Sequence, residues 1–571
     1  MKPCFRSLCF LCALCVLCGE CFSLDREAFS ITNYKLNLQI EPEQHRLGVR
    51  GKITLRNDRE TPQRIAVLQI SSSLGWRSIK AGDRAVQFVT QPFASDIDHT
   101  GQLSEAIVTL PQEIAPHATI DMTIAYEGVI LLDATRLTRI GTPDDIAKSS
   151  DWDQIDANFT AVRGAGYVAW YPIATEVANL SESDSLPEVL VRWKTREAAS
   201  TMKTQFSIAA DYSSPPEVLV GEIVCPFSTL EATSQLNQRE FADCISQASD
   251  APTLLIADYQ VATKPELEIR FLHGHDFAAS RFADVAERVA PLVHDWFGPQ
   301  RERAKIADLP DPDATPFESG ALLLTPLSSS TPNSAGLAAA HQLTHVSFLS
   351  FRPWIEEGLA HFAQVLYLEQ QKGRQAALDY MGAHRSVLTS VESSTADDEA
   401  GHSLVNTVNE QLYRSKAMCV WWMLRDMIGD AALKRAIAAY KPEDDDGPSY
   451  MPRLISAHSQ RDLGWFFDDW VYHDRGLPDF KIESAFSSRT MTKSFMVAVT
   501  IDNLGAAGAE VPVKVKFAGG DVSKRLEIRA KQKATIRIET PAAAQEIVVN
   551  DGSVPESDTT NNTLKVDPPS S

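Results

Sequence analysis

Two histidines, His341 and His345, stand four residues apart in AAAHQLTHVSF, and two carboxylates, Glu356 and Glu357, follow in WIEEGLAHF. On an α-helix, residues four apart lie one above the other on the same face, so a helix through this run aims both imidazoles at one point. Eleven residues separate His345 from Glu357, which leaves room for a turn and the start of a second helix. Two His from one helix and a Glu from the next make three donors for one zinc ion, with the fourth position left to water, as in hydrolytic sites. Glu357 is the expected third donor and Glu356 the alternative. Both also suit the first turn of a helix without any metal, because carboxylates are favoured at its positive end. His361, one turn beyond Glu357, is expected to pack beside the site rather than bind the ion.

The residue after the first His is Gln342. In H-E-x-x-H sites a Glu stands there and accepts the proton of the metal-bound water. An amide can hydrogen-bond that water but cannot take its proton. The sequence thus offers a metal site and withholds the usual base.

The elements that must position these residues follow from the rest of the chain. At 571 residues it is too long for one core, and several domains are expected. A net charge of −21 argues against nucleic acid and against an anionic membrane surface as partners. Residues 1–23 read as a signal peptide: Lys2 and Arg6 precede an apolar core, Leu8–Leu17, too short to span a bilayer. No stable membrane span is expected, and the mature protein is expected to be periplasmic or extracellular. Six of the nine Cys lie in that leader. Of the other three, Cys225 and Cys244 could pair in an oxidising compartment, whereas Cys419 falls in an apolar helical run and reads as a core thiol. From 24 to 272, runs such as YKLNLQIEP, RIAVLQIS and ATIDMTIAYEG alternate apolar and polar residues between turns, as in an antiparallel β-saddle or sandwich. WYPI and VRWKT are expected to continue it, and LEIRFL to close it. From 273 to 478 the period becomes helical, beginning with RFADVAERVAPLVHDWFG. From 479 to 566 about seven strand-like runs suggest a β-sandwich, and 567–571 form a polar tail. The fold class is therefore multidomain α+β.

This order of parts resembles the M1 family of gluzincin aminopeptidases, whose members join a β-saddle, a thermolysin-like helical zinc domain and a β-sandwich. WIEEGLAHF is similar to the family's W-x-N-E-G-F-A, which puts the ligand Glu on Glu357. FESGALLL is a looser match to its G-A-M-E-N strand and puts Glu318 where the family binds the substrate's free α-amine. LYRSKAMCVWWML looks like its Y-E-K-G segment, which makes Tyr413 the phenol that stabilises the oxyanion. The chain departs from the pattern in three places. The spacing from His345 to Glu357 is shorter than the family's, one extra residue lies between Tyr413 and Lys416, and Gln342 replaces the base. The shorter spacing is compatible with ligation if Pro353 breaks the chain early and redirects it.

The resemblance implies an aminopeptidase with one Zn2+, cutting N-terminal residues from peptides, with Glu318 holding the amine and Gln342 orienting the water; the leader adds export. The alternative is a pseudo-peptidase of the same fold that binds peptides or proteins without cutting them. A purely structural metal would want a fourth protein donor, and the sequence points to none.

Overall fold

In the computed structural model the described residues are 24–82, 84–182, 185–209, 216–226, 238–247, 252–394, 403–473 and 475–566. The leader and the polar tail lie outside them. The chain divides into two compact units between Asp258 and Tyr259.

The first unit is built on a seven-stranded sheet. Its order is Gln238–Gln247, Thr201–Ala209, Phe29–Glu41, Arg46–Asn57, Thr119–Val129, Leu74–Ala81 and Arg84–Ala85. A three-stranded sheet (Gln63–Ser71, Gln102–Ile114, Gln87–Ala94) and a four-stranded sheet (Ile223–Val224, Glu217–Val220, Leu254–Ala257, Phe159–Val162) complete it. Two expectations need correction. VRWKT is helical, within Ser185–Arg196, because Val189 and Trp193 bury one helical face. Over five residues, apolar alternation does not separate a strand from a helix. The large sheet is also not wholly antiparallel: Phe29–Glu41 runs parallel to Thr201–Ala209, the strand that follows this helix. WYPI is not a strand: it makes a single bridge, Gln69–Ile173, and its Trp170 and Pro172 carbonyls accept from the Tyr126 and Tyr34 hydroxyls, with Trp170 and Tyr171 fully buried. Cys225 and Cys244 form a disulfide, and Cys419 is a buried free thiol.

The second unit opens with a mixed five-stranded sheet, ordered Gln260–Thr263, Leu267–Phe271, Ala304–Asp308, Leu322–Thr325, Phe317–Ser319. Leu267–Phe271, expected to close the N-terminal domain, instead pairs in parallel with Ala304–Asp308 and belongs here. The last two strands form a hairpin joined by Gly320 and Ala321, and Phe317–Ser319 stands last in the sheet order. Helix Asp276–Phe297 precedes the two helices that matter most, Pro332–Ser347 and Pro353–Lys372. Further helices include Ala417–Ile428, where Val420–Leu424 is buried on all sides. Residues 480–565 form a three-stranded sheet (Phe480–Arg489, Phe495–Asn503, Lys533–Thr540) and a four-stranded one (Gly520–Ile528, Ala509–Phe517, Ala544–Val549, Thr563–Lys565). Their apolar faces join the same buried cluster as the helices. No helix among the described residues is long and apolar enough to cross a membrane.

Candidate metal centre

The helix that carries both His starts on a capping box. The Thr331 side chain accepts from the Ser334 backbone N–H, Ser334 answers on Thr331, and Pro332 fills the first turn, where no N–H is needed. It ends at Ser347. Only five residues connect it to the next helix, which begins at Pro353. That early start brings Glu357 to the His pair despite the short spacing. Arg352 fixes the connection through two 2.7 Å bonds to Asp445, and Ser350 hydrogen-bonds the Tyr440 hydroxyl at 2.9 Å.

Two glycines let the helices come close. A Cβ on Gly336 would lie 2.2 Å from the Tyr367 hydroxyl, and one on Gly358 would lie 2.7 Å from the Ala417 Cβ and 2.8 Å from the Trp421 Nε1. The start of the second helix is held by Trp421, whose indole donates to the Trp354 carbonyl at 3.1 Å and stacks on the Trp354 ring.

Four side chains converge: Glu318, His341, His345 and Glu357 each offer a donor atom within 4.8 Å of the others. The Nε2 atoms of His341 and His345 are 3.0 Å apart. Glu357 Oε2 is 3.8 Å from His341 Nε2, and Glu357 Oε1 is 3.6 Å from His345 Nε2. Glu318 Oε2 is 2.9 Å and 3.9 Å from the same two nitrogens. Two ligands of a tetrahedral zinc with bonds of about 2.0–2.1 Å stand about 3.3 Å apart. These separations bracket that value, and the donors are the nitrogen and oxygen types that zinc takes. The residues fit the ion. The Glu318 carboxylate, expected at the substrate's amine, lies among these donors, 2.9 Å from His341 Nε2.

Electrostatics bind the group together. Burial pushes the Glu318 carboxyl up, but His341, then His345 and Arg414, outweigh it and hold it down at about 2. Burial lowers His341, yet Glu318 and Glu357 leave it raised, while burial and the neighbouring His341 lower His345. Burial drives His361 well below its usual value, so it is neutral; its ring sits edge-on to His341, 4.8 Å between centroids. Glu356 is not one of the four. It takes a hydrogen bond from the Ser350 backbone, and burial beside Glu357 raises it to about 7.

Gln342 is buried, and its amide nitrogen donates to the Gly320 carbonyl at 3.0 Å while Oε1 has no partner. Tyr413 sits half-buried on a π-helical turn, Gln411–Lys416. Burial and the Glu410 and Glu357 carboxylates raise the phenol's pKa. Arg414 escaped the sequence reading. Its Nε lies 3.2 Å from Glu357 Oε2 and its Nη1 3.5 Å from Glu410 Oε2. The only signal was a cation beside Tyr413 in LYRSK.

No family model and no curated protein matches the chain. Among solved structures, it is similar to an M1 zinc metallopeptidase from Deinococcus radiodurans, at 16% identity over 78% of this chain and 95% of that one, with a TM-score of 0.48. A mutant of that protein bound to a Tyr-Ser-Ala substrate aligns at 16% identity over 79% of this chain and 96% of that one, TM-score 0.48.

Proposed function

We propose that the chain is an exported zinc-dependent metallopeptidase of the M1 aminopeptidase type, removing N-terminal residues from peptides. The observation that carries this reading is the convergence of His341, His345 and Glu357 with one further carboxylate, Glu318. His341, His345 and Glu357 hold the ion. When bound, zinc polarises a carbonyl and lowers the pKa of water to about 7. Glu318 is the anion nearest that position and the partner for the substrate's α-ammonium. Pairing with the ammonium draws its carboxylate away from His341. Gln342 offers its unpartnered Oε1 to the attacking water, and Tyr413 donates to the oxyanion. The domain organisation read from the sequence, with a helical zinc domain between β-rich parts, belongs to this proposal. The Cys225–Cys244 disulfide and the leader support export, because such bonds persist in oxidising compartments.

A second reading, a metal-bound module that binds peptides without cutting them, is favoured by Gln342, an amide that cannot take a proton from water. One assay separates them: zinc-loaded mature protein with a panel of aminoacyl amides and their N-acetyl counterparts. The peptidase reading expects hydrolysis of the free amines only, lost to background in His345→Ala. Zinc binding without turnover of any substrate would establish the binding module instead.

A further inference from the structure

Gln342 makes a bond that the usual residue at its position cannot make. The Gly320 carbonyl only accepts, so the group facing it at 3.0 Å is the amide NH2. Gly320, at φ 58°, is the first residue of the two-residue hairpin turn and lies two residues after Glu318. Positive φ at that place is what a tight primed turn needs, and Gly adopts it without strain. The strand before the turn has three residues, pairs with Leu322–Thr325 and stands last in the order of its sheet. The Gln342 bond therefore ties the hairpin to the His-bearing helix at the end that carries Glu318. An ionised Glu at 342 is an acceptor only. It would face the Gly320 carbonyl and add a third carboxylate beside Glu318 and Glu357.

We propose that Gln342 is a positioning residue: through Gly320 it holds the Glu318 carboxylate against His341, 2.9 Å from its Nε2, so that an ion held by His341, His345 and Glu357 has a further carboxylate beside it. Residue 342 and the hairpin are then a matched pair, and the amide is required rather than a lost base. This rests on the zinc reading above, and zinc affinity tests it without recourse to turnover.

The experiment measures zinc affinity, by competition with a chromophoric chelator, for the mature wild type, Glu318→Gln, Gln342→Glu, Gln342→Met and the double variant Glu318→Gln/Gln342→Glu. His345→Ala is the ligand-loss control, and circular dichroism confirms folding. Glu318→Gln and both Gln342 variants are expected to weaken zinc about 10–100-fold, the range for groups that orient a metal ligand. The double variant is expected to be no weaker than Glu318→Gln alone, because both changes remove one interaction. The visible spectrum of the cobalt-substituted protein is expected to change in the same variants. Wild-type affinity in Gln342→Glu and Gln342→Met, or losses that add in the double variant, would overturn the proposal. A wild type that binds no zinc overturns it together with the peptidase reading. Zinc binding with a non-additive cycle but no turnover removes the peptidase reading alone; turnover with additive losses removes this proposal alone.

Discussion

Tyr413 and Arg414 are neighbours on one π-turn and meet the metal centre in different ways. Arg414 pairs directly with Glu357, and the Glu357 and Glu410 carboxylates keep it protonated despite burial. With Glu357 holding zinc as proposed, such a contact orients that carboxylate. The Tyr413 phenol, held neutral by burial, is a donor at every physiological pH. On the peptidase reading, Tyr413→Phe is expected to lower kcat about 10²–10³-fold with KM little changed, the cost of losing one oxyanion donor; steady-state kinetics on an aminoacyl amide checks this, and a change of only a few-fold would make Tyr413 an interfacial side chain. At this scale the sequence was legible where spacing is local. His341 and His345 share a face by arithmetic alone, and Glu357 follows on the next helix. Glu318 was placed near them only through the likeness of FESGALLL to a family strand, because local pattern does not show a hairpin brought in by sheet pairing. Arg414 was not legible, because its contact exists only once the π-turn meets the second ligand helix.

Between elements, the decisive fact is how closely the ligand helix Pro353–Lys372 approaches the tryptophan-bearing helix Ala417–Ile428. Gly358 makes that approach possible, and Trp354 and Trp421 lock it. Gly358→Ala puts a methyl group 2.7 Å from the Ala417 Cβ. Overpacking of this kind is expected to destabilise the second unit by about 1–3 kcal/mol, seen as a lower urea midpoint, and to weaken zinc by displacing Glu357. An unchanged midpoint would show that the two helices can part without cost. Long helices with clear periodicity were legible here, as was the turn to strands after residue 479. The Ser185–Arg196 helix was not, because VRWKT alternates over too few residues for its period to be read. The parallel pairing of Phe29–Glu41 was hidden for a different reason: local pattern carries no information about a partner strand so far along the chain.

Each unit also carries a buried carboxyl whose proton is held tightly. In the first, Glu197 accepts from the Ile31 backbone at 3.2 Å and from Tyr34 at 2.9 Å, and burial raises it to about 7. In the second, burial raises Glu556 to about 7 although Asn550, Asn562 and the Phe480 N–H bond to it. Between about pH 4.5 and 7 the folded chain holds these protons and the unfolded chain does not, so stability falls as pH rises through that window. The loss is at most about 3 kcal/mol per group. Melting temperatures measured from pH 4.5 to 7.5 are expected to decline, and Glu197→Gln and Glu556→Gln are expected to flatten the decline. A profile identical in both variants would place the pH dependence elsewhere.

The parallel pairing in the first unit also sets a clock. Asn33 must find Thr201, 168 residues later. At roughly 5–20 residues per second of synthesis, the leading strand waits roughly 10–30 s before its partner exists. For that interval one edge of Phe29–Glu41 offers unpaired N–H and C=O groups to any other strand it meets. That edge of the large sheet therefore cannot be covered by its own partner until Ala209 has been made.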